Sequence, residues 1–378
     1  GPEFLGGPAV RGLEDDWCRV FECKHAVSVN SATSGLIAAV GAAGVGPGDE
    51  VIVPAWTMSA TAVTAVAYGA VPVFVDVEDR TFCLDPEKAA AAITPRTRAI
   101  IAVNLFGHPA ELAALRDLAD ANGIYLIEDN AQAPLAREQG TLTGNIGHIG
   151  VYSLNVHKHI QCGEGGVCTT ADAGLAERLQ QIRNHGENVV GANADLANAF
   201  GFNLRMTETT AAIARAQVAR AEEIITGRIA IAEALRDGLA RIPGLTVPET
   251  RSGCSHAFYL WTARIDEGEL GISRAAFHRA LEAEGVPTFT GYVAPLYRLA
   301  MFQRRTAIGR DGFPFAGAAP DYADGLCPVT ERLHEREALV YEVCAWDPSD
   351  SQLEQMIAAV HKVIENRDAL RDAGADAA

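Results

Sequence analysis

From residue 26 to residue 128, short apolar runs alternate with helical patterns, and that alternation leaves few folds open. The runs 26–30, 50–54, 71–77, 99–103 and 125–128 are continuously apolar, with little polar alternation. Strands with one wet face alternate; continuous runs belong to strands covered on both faces. Between them, 31–43, 59–68, 85–93 and 110–121 carry helical spacing. Asp85-Pro86 is an N-cap followed by proline at the first helical position, and Gly46-Pro47-Gly48-Asp49 is a turn. The pattern predicts an α/β unit with a mostly parallel sheet and helices on both faces. Ligands of such sheets bind beyond the carboxyl ends of the strands.

Three stretches fall at those ends. An apolar run, 149–154, leads to Lys158, then to Gly163-Glu164-Gly165-Gly166 and a second run, 167–170. A lysine between two buried strands loses charge by desolvation, and the neutral amine is a nucleophile able to form a Schiff base. Upstream, Ile127-Glu128-Asp129-Asn130-Ala131-Gln132 places an acid at another strand end. An amine and an acid so placed suit a pyridoxal phosphate site, the lysine holding the aldehyde and the acid the ring nitrogen. Ser31-Ala32-Thr33-Ser34-Gly35 opens a helix, and its free N–H groups suit a phosphate; taken alone, the same residues read better as a plain N-cap.

At 378 residues the chain is too long for one ordinary core. It divides into a large α/β domain with a linking helix, 5–240, and a smaller α+β domain, 245–378. The linking helix is predicted over 208–239, strands over 258–265 and 285–290, and helices over 273–284 and 352–367. A polar loop is expected over 184–199 and a frayed tail after Asp368. Residues 1–4 read as a cloning scar. The net charge of −17 speaks against non-specific nucleic-acid binding. No apolar run reaches the length of a membrane span, and no secretory signal is visible, so a cytoplasmic protein is expected. The eight cysteines lack C-x-x-C spacing, which predicts reduced thiols and no metal site.

Six stretches in order, GVGPGDEVIVPAWT, VPVFVDV, IEDNAQA, SLNVHKHIQCGEGG, IRNHGE and GFNLRMTE, make the chain resemble the DegT/DnrJ family of sugar aminotransferases. The resemblance runs from about Gly6 to Asn366. It implies the pyridoxal-phosphate transferase fold of type I, with a mostly parallel seven-stranded-type sheet and a smaller C-terminal domain. It implies that Lys158 carries the cofactor and Asp129 holds its ring nitrogen. Gln132 would lie beside the phenolic oxygen, and Ala32, Thr33 and Ser153 would hold the phosphate. Asn203 would reach the phosphate of a neighbouring subunit in a homodimer, with Arg205 and His185 bordering the substrate. His157 and His159 are expected to point away from the lysine's face. Where many members carry an aromatic ring against the cofactor, this chain has Met58, with Trp56 as the alternative; the family's Ser-Gly-Thr is Ser31-Ala32-Thr33. The N-terminal segment that usually precedes Gly6-Gly7-Pro8-Ala9-Val10 in similar chains is expected to be absent. The implied reaction moves an amino group from L-glutamate or L-glutamine to a keto sugar, nucleotide sugar or cyclitol, through pyridoxal and pyridoxamine phosphate. Alternatives are a sugar dehydratase, which carries histidine in place of the lysine, an amino-hydroxybenzoate synthase-like enzyme and a cofactor-binding regulatory protein. Arg298, Arg304, Arg305 and Arg310 either meet a diphosphate or form a solvated face.

Overall fold

The computed structural model describes residues 6–187, 200–315 and 320–370. A seven-stranded sheet carries the large unit, in the order His25–Val29, Gly166–Thr170, Ile149–Ser153, Tyr125–Asp129, Thr97–Val103, Glu50–Pro54, Val71–Val75. Gly166–Thr170 is antiparallel to both neighbours, and the others run the same way. The continuous apolar runs are explained by two cores. Val51, Val53, Ile101, Ile127 and Val151 face the helices Ala32–Ala42 and Ala173–Arg183. Ile52, Ile100 and Leu126, their neighbours in sequence, face Leu112–Asn122 on the other side.

Register brings the strand ends together. Gly166 opens the antiparallel strand opposite both Val29 and Ser153, so Ser31, Asp129, Ser153 and Gly166 share one edge. A Cβ on Gly166 would lie 2.7 Å from the Ser31 carbonyl carbon, so only glycine lets the strand pass under that turn.

Glu128, one residue before the site acid, is fully buried and braces the next loop. It accepts from the backbone N–H of Gly144, Ile146 and Gly147 at 2.5, 2.8 and 2.5 Å. Glu128→Ala would strand these buried donors. It is expected to destabilise the fold by about 3 kcal/mol or more, read as a lower urea midpoint.

The N-terminal helix Pro8–Val20 has no counterpart in the sequence reading. Val10, Leu13 and Trp17 form its buried stripe, a helical spacing legible in retrospect. Glu208 caps it by accepting from Ala9 and Val10 N–H, both at 2.9 Å. The helix expected over 208–239 is two, Glu208–Val218 and Ala221–Leu239. The first packs on the N-terminal helix; the second gives Ala232, Leu235 and Leu239 to the smaller unit's core. That unit holds an antiparallel sheet in the order Leu245–Thr246, Trp261–Ile265, Ala338–Tyr341, Thr288–Thr290. Helices Arg274–Ala283 and Asp350–Glu365 join its core.

The strand predicted over 258–265 starts only at Trp261, because Phe258 takes a left-handed φ of 51° and 256–260 forms an arch. Similarly, the strand predicted over 285–290 is confined to Thr288–Thr290. Residues 188–199 of the expected loop, and the tail from 371, lie outside the described residues. Among the described residues no helix is long and apolar enough to cross a membrane. All eight cysteines are free thiols.

Buried Asp76 ties the segment before Ala338–Tyr341 to the large sheet. It accepts from Val329 N–H at 2.9 Å, Thr330 N–H at 2.8 Å and the Thr330 hydroxyl at 2.8 Å, and pairs with Lys88.

Candidate active site

Asp129 ends its strand buried, with defined partners for both carboxylate oxygens. Oδ2 accepts from the Thr61 hydroxyl at 2.8 Å, and Oδ1 from Ala131 N–H at 3.3 Å. Burial pushes its proton affinity up; Thr61, Ala131 and the Lys158 charge oppose this. Lys158 is half-buried, and burial pushes its amine down to about 8, with Asp129 pulling the other way. Each group therefore helps the other to stay charged while the protein around them disfavours charge. Near neutrality a sizeable minority of the amine is free base, as a nucleophile or proton carrier needs.

Gln132 is held at both ends of its amide. Its Oε1 accepts from Phe106 N–H at 2.7 Å, and its Nε2 donates to the Tyr292 hydroxyl at 3.2 Å, which leaves one Nε2 hydrogen available. Trp56 is removed from the choice of ring partner: it is fully buried, packed edge-on against Phe82, Phe106 and Tyr292, and its Nε1 donates to Val293 O at 2.9 Å. Met58, 52% exposed, is the side chain of the pair that is open to a ligand.

At the helix Ala32–Ala42 the N-cap reading and the anion reading coexist. The Ser31 side chain accepts from Ser34 N–H at 3.1 Å, and the Ser31 carbonyl from Gly35 N–H at 3.0 Å. Of the helix's leading amides this leaves those of Ala32 and Thr33. Ser153 sits at the same edge, half-buried, its oxygen 3.3 Å from Asn155 N–H. The segment bearing Asn203 and Arg205 runs beside this edge, since Asn30 N–H donates to Leu204 O at 2.8 Å. Asn203 bridges to Asn184 and is exposed, Arg205 Nη1 donates to Asn184 at 2.6 Å, and exposed His185 has a φ of 61°.

The two histidines flanking Lys158 do not alternate as in a strand, because residues 155–160 form turns. His157 is exposed. His159 is buried and donates from Nε2 to Ala257 O at 2.8 Å. That bond belongs to the arch 256–260, which sequence reasoning missed because FYLW reads as plain strand. Tyr259 N–H donates to Phe106 O at 2.8 Å and Ala257 N–H to Gly107 O at 2.9 Å; a Cβ on Gly107 would lie 2.6 Å from Phe258 N. The arch sets the Tyr259 ring over Lys158, its centroid 3.8 Å from Nζ.

Buried histidines make this region acid-sensitive. His108 donates from Nδ1 to Pro109 O and accepts at Nε2 from Arg251 N–H, so its bonds require the neutral ring. His256 accepts at Nδ1 from Phe258 N–H. Burial holds His108 and His159 down at about 4, and His256 well below its ordinary value. Between pH 6.5 and 4 the unfolded chain then binds more protons than the folded one, so stability falls as pH falls. By pH 5, His108 and His159 are each expected to remove about 2 kcal/mol. Urea midpoints at pH 7 and pH 5 measure this, and His108→Gln should flatten part of the slope.

A mostly parallel sheet with a desolvated amine and a buried acid that act on each other's charge near its carboxyl edge is the arrangement a pyridoxal-phosphate-dependent enzyme needs. The residues fit that cofactor: an acid for the ring nitrogen, an amine for the aldehyde and open helix amides for the phosphate. The chain belongs to the DegT/DnrJ/EryC1/StrS aminotransferase family, whose model matches residues 2–338. It is 37% identical over 295 residues to the dTDP-3-amino-3,4,6-trideoxy-alpha-D-glucose transaminase of Streptomyces venezuelae, covering 78% of this chain and 75% of the relative. It is 35% identical over 334 residues to the UDP-N-acetyl-3-dehydro-alpha-D-glucosamine 3-aminotransferase of Acidithiobacillus ferrooxidans, covering 88% and 83%. The crystal structure of S. venezuelae DesV in complex with a ketimine intermediate matches with a TM-score of 0.82 at 34% identity, over 96% of this chain and 90% of that one. The protein is an aminotransferase, and its cofactor is pyridoxal phosphate.

Proposed function

We propose that this aminotransferase moves an amino group from L-glutamate or L-glutamine to the keto group of a sugar, nucleotide sugar or cyclitol, in antibiotic or polysaccharide biosynthesis. The observation that carries the reading is the half-buried Lys158 amine, held down to about 8 by burial and opposed by the charge of buried Asp129 at the sheet edge. The family's sugar transaminases supply the acceptor class. The intact lysine favours amine transfer over dehydration, whose enzymes carry histidine there.

Bound pyridoxal phosphate supplies an aldehyde that takes up the amine and a ring that withdraws electrons. The rest falls to the chain. Lys158 Nζ would hold the aldehyde carbon until the donor's amine takes its place, and the freed amine would then carry the proton from the donor's α-carbon to the former aldehyde carbon. Asp129, as a carboxylate, would hold the ring-nitrogen proton. Gln132 would offer its remaining Nε2 hydrogen to the phenolic oxygen, and Met58 would supply a soft apolar contact for the ring. Ala32, Thr33 and Ser153 would bind the phosphate. Asn203 reaches a second subunit's phosphate in a cytoplasmic homodimer, with His185 and Arg205 bordering the substrate. We read 5–240 as the cofactor-binding domain and 245–378 as the small domain. Arg298 is taken up by Asp324 at 2.7 Å and Glu335 at 2.6 Å, so it does not wait free for a diphosphate.

The test is a donor and acceptor screen on the purified protein. L-glutamate or L-glutamine should bleach the cofactor's visible band, and a keto sugar nucleotide or free ketocyclitol should restore it with an aminated product and ping-pong kinetics. No spectral change with any donor would favour the regulatory alternative. Light scattering should give twice the 40.0 kDa chain mass; a fully active monomer would remove the assignment of Asn203.

A further inference from the structure

We propose that Tyr259 is a positioning residue for Lys158: its ring face receives the amine whenever the amine is not bonded to the cofactor, and it favours the form that carries a proton. Nζ lies 3.8 Å from the ring centroid, within the range where an aromatic face attracts a cation. The ring is not there by default packing. The arch is pinned to Phe106 O and Gly107 O, and to His159 Nε2 through Ala257 O. It keeps Phe258 in a left-handed conformation, and it passes so close to Gly107 that no side chain fits there. A conformation of this kind persists only where its surroundings enforce it. Burial keeps the Tyr259 phenol well above its ordinary value, so the ring stays neutral.

The role follows from what the amine has to do. Having taken a proton from a donor carbon, Lys158 is a cation in a place that disfavours cations. Asp129 offsets this from one side, but it is already engaged by Thr61 and Ala131. A π face offsets it from another side without presenting an acceptor oxygen that would trap the proton. The proposal rests on the aminotransferase reading for its purpose. Its test requires no activity and no cofactor, so the two fail separately.

The charged and titratable groups acting on this amine are Asp129 from its strand and Cys344 from the segment after Ala338–Tyr341. His159, its chain neighbour, feels both Lys158 and Arg228; Glu342 and Arg228 act on Cys344. All are retained in the variants. The chain has four lysines, Lys24, Lys88, Lys158 and Lys362, so each gives a separate peptide and three serve as internal references. Cofactor-free protein is trace-labelled with acetic anhydride across pH, and each lysine's midpoint is read by mass spectrometry. Lys158 should titrate at about 8 in the parent protein. Tyr259→Phe should leave that midpoint in place. Tyr259→Leu should lower it by about half a unit to one unit. Pentafluorophenylalanine at position 259 keeps the ring's size and reverses its face potential; it should lower the midpoint too, and it reads the effect if the leucine variant fails to fold. A Lys158 midpoint unchanged or raised in the leucine and fluorinated variants, with the other three lysines steady, overturns the proposal.

Discussion

Lys158→Ala is expected to abolish amine transfer while leaving the fold intact. Loss of the proton carrier alone should lower turnover by about 10²- to 10⁴-fold, and loss of the amine that holds the aldehyde adds to this. Because the amine is half-buried in surroundings that disfavour its charge, removing it should not lower the melting temperature. The measurement is single-turnover reaction with L-glutamate, alongside borohydride reduction and peptide mass analysis. The parent should carry a phosphopyridoxyl group on the peptide containing Lys158, and the variant none. Label on Lys24, Lys88 or Lys362 instead would refute the assignment.

Asp129→Asn is expected to be nearly as severe, for a different reason. The amide keeps the shape and can still accept from Thr61, but it has no charge with which to hold a proton on the ring nitrogen. A hydrogen bond to a charged partner contributes about 1.5–3 kcal/mol, so cofactor affinity should fall about 10- to 100-fold, with turnover falling as well. Equilibrium dialysis against pyridoxal phosphate reads the first effect. The pH profile reads another: parent activity should fall in acid as Asp129 takes up a proton, and the Asp129→Asn variant should lack that limb. Unchanged affinity in this variant would remove Asp129 from the site.

The large sheet was legible because burial on both faces leaves continuous apolar strands, and the strand ends then point to Ser31, Asp129 and Lys158. What stayed hidden depends on contacts distant in sequence. The stripe of Val10, Leu13 and Trp17 lies among charged residues and forms a helix only with Glu208 capping it from across the chain. Thr61 gives no local sign that it will meet Asp129, 68 positions away. The arch needed a left-handed phenylalanine, which periodicity counts as one more strand residue. The choice between Met58 and Trp56 turned on a hydrogen bond from the indole to Val293, 237 residues on.

Asp76 bears on how molecules enter and leave. Swinging the segment around Val329 and Thr330 outward would pull them from a submerged carboxylate and strip it of three donors, a penalty on the order of several kcal/mol. The segment carrying Val329 and Thr330 is thus bolted to the large sheet rather than hinged on it. Turnover is therefore expected to respond little to solvent viscosity beyond what diffusion of the reactants accounts for.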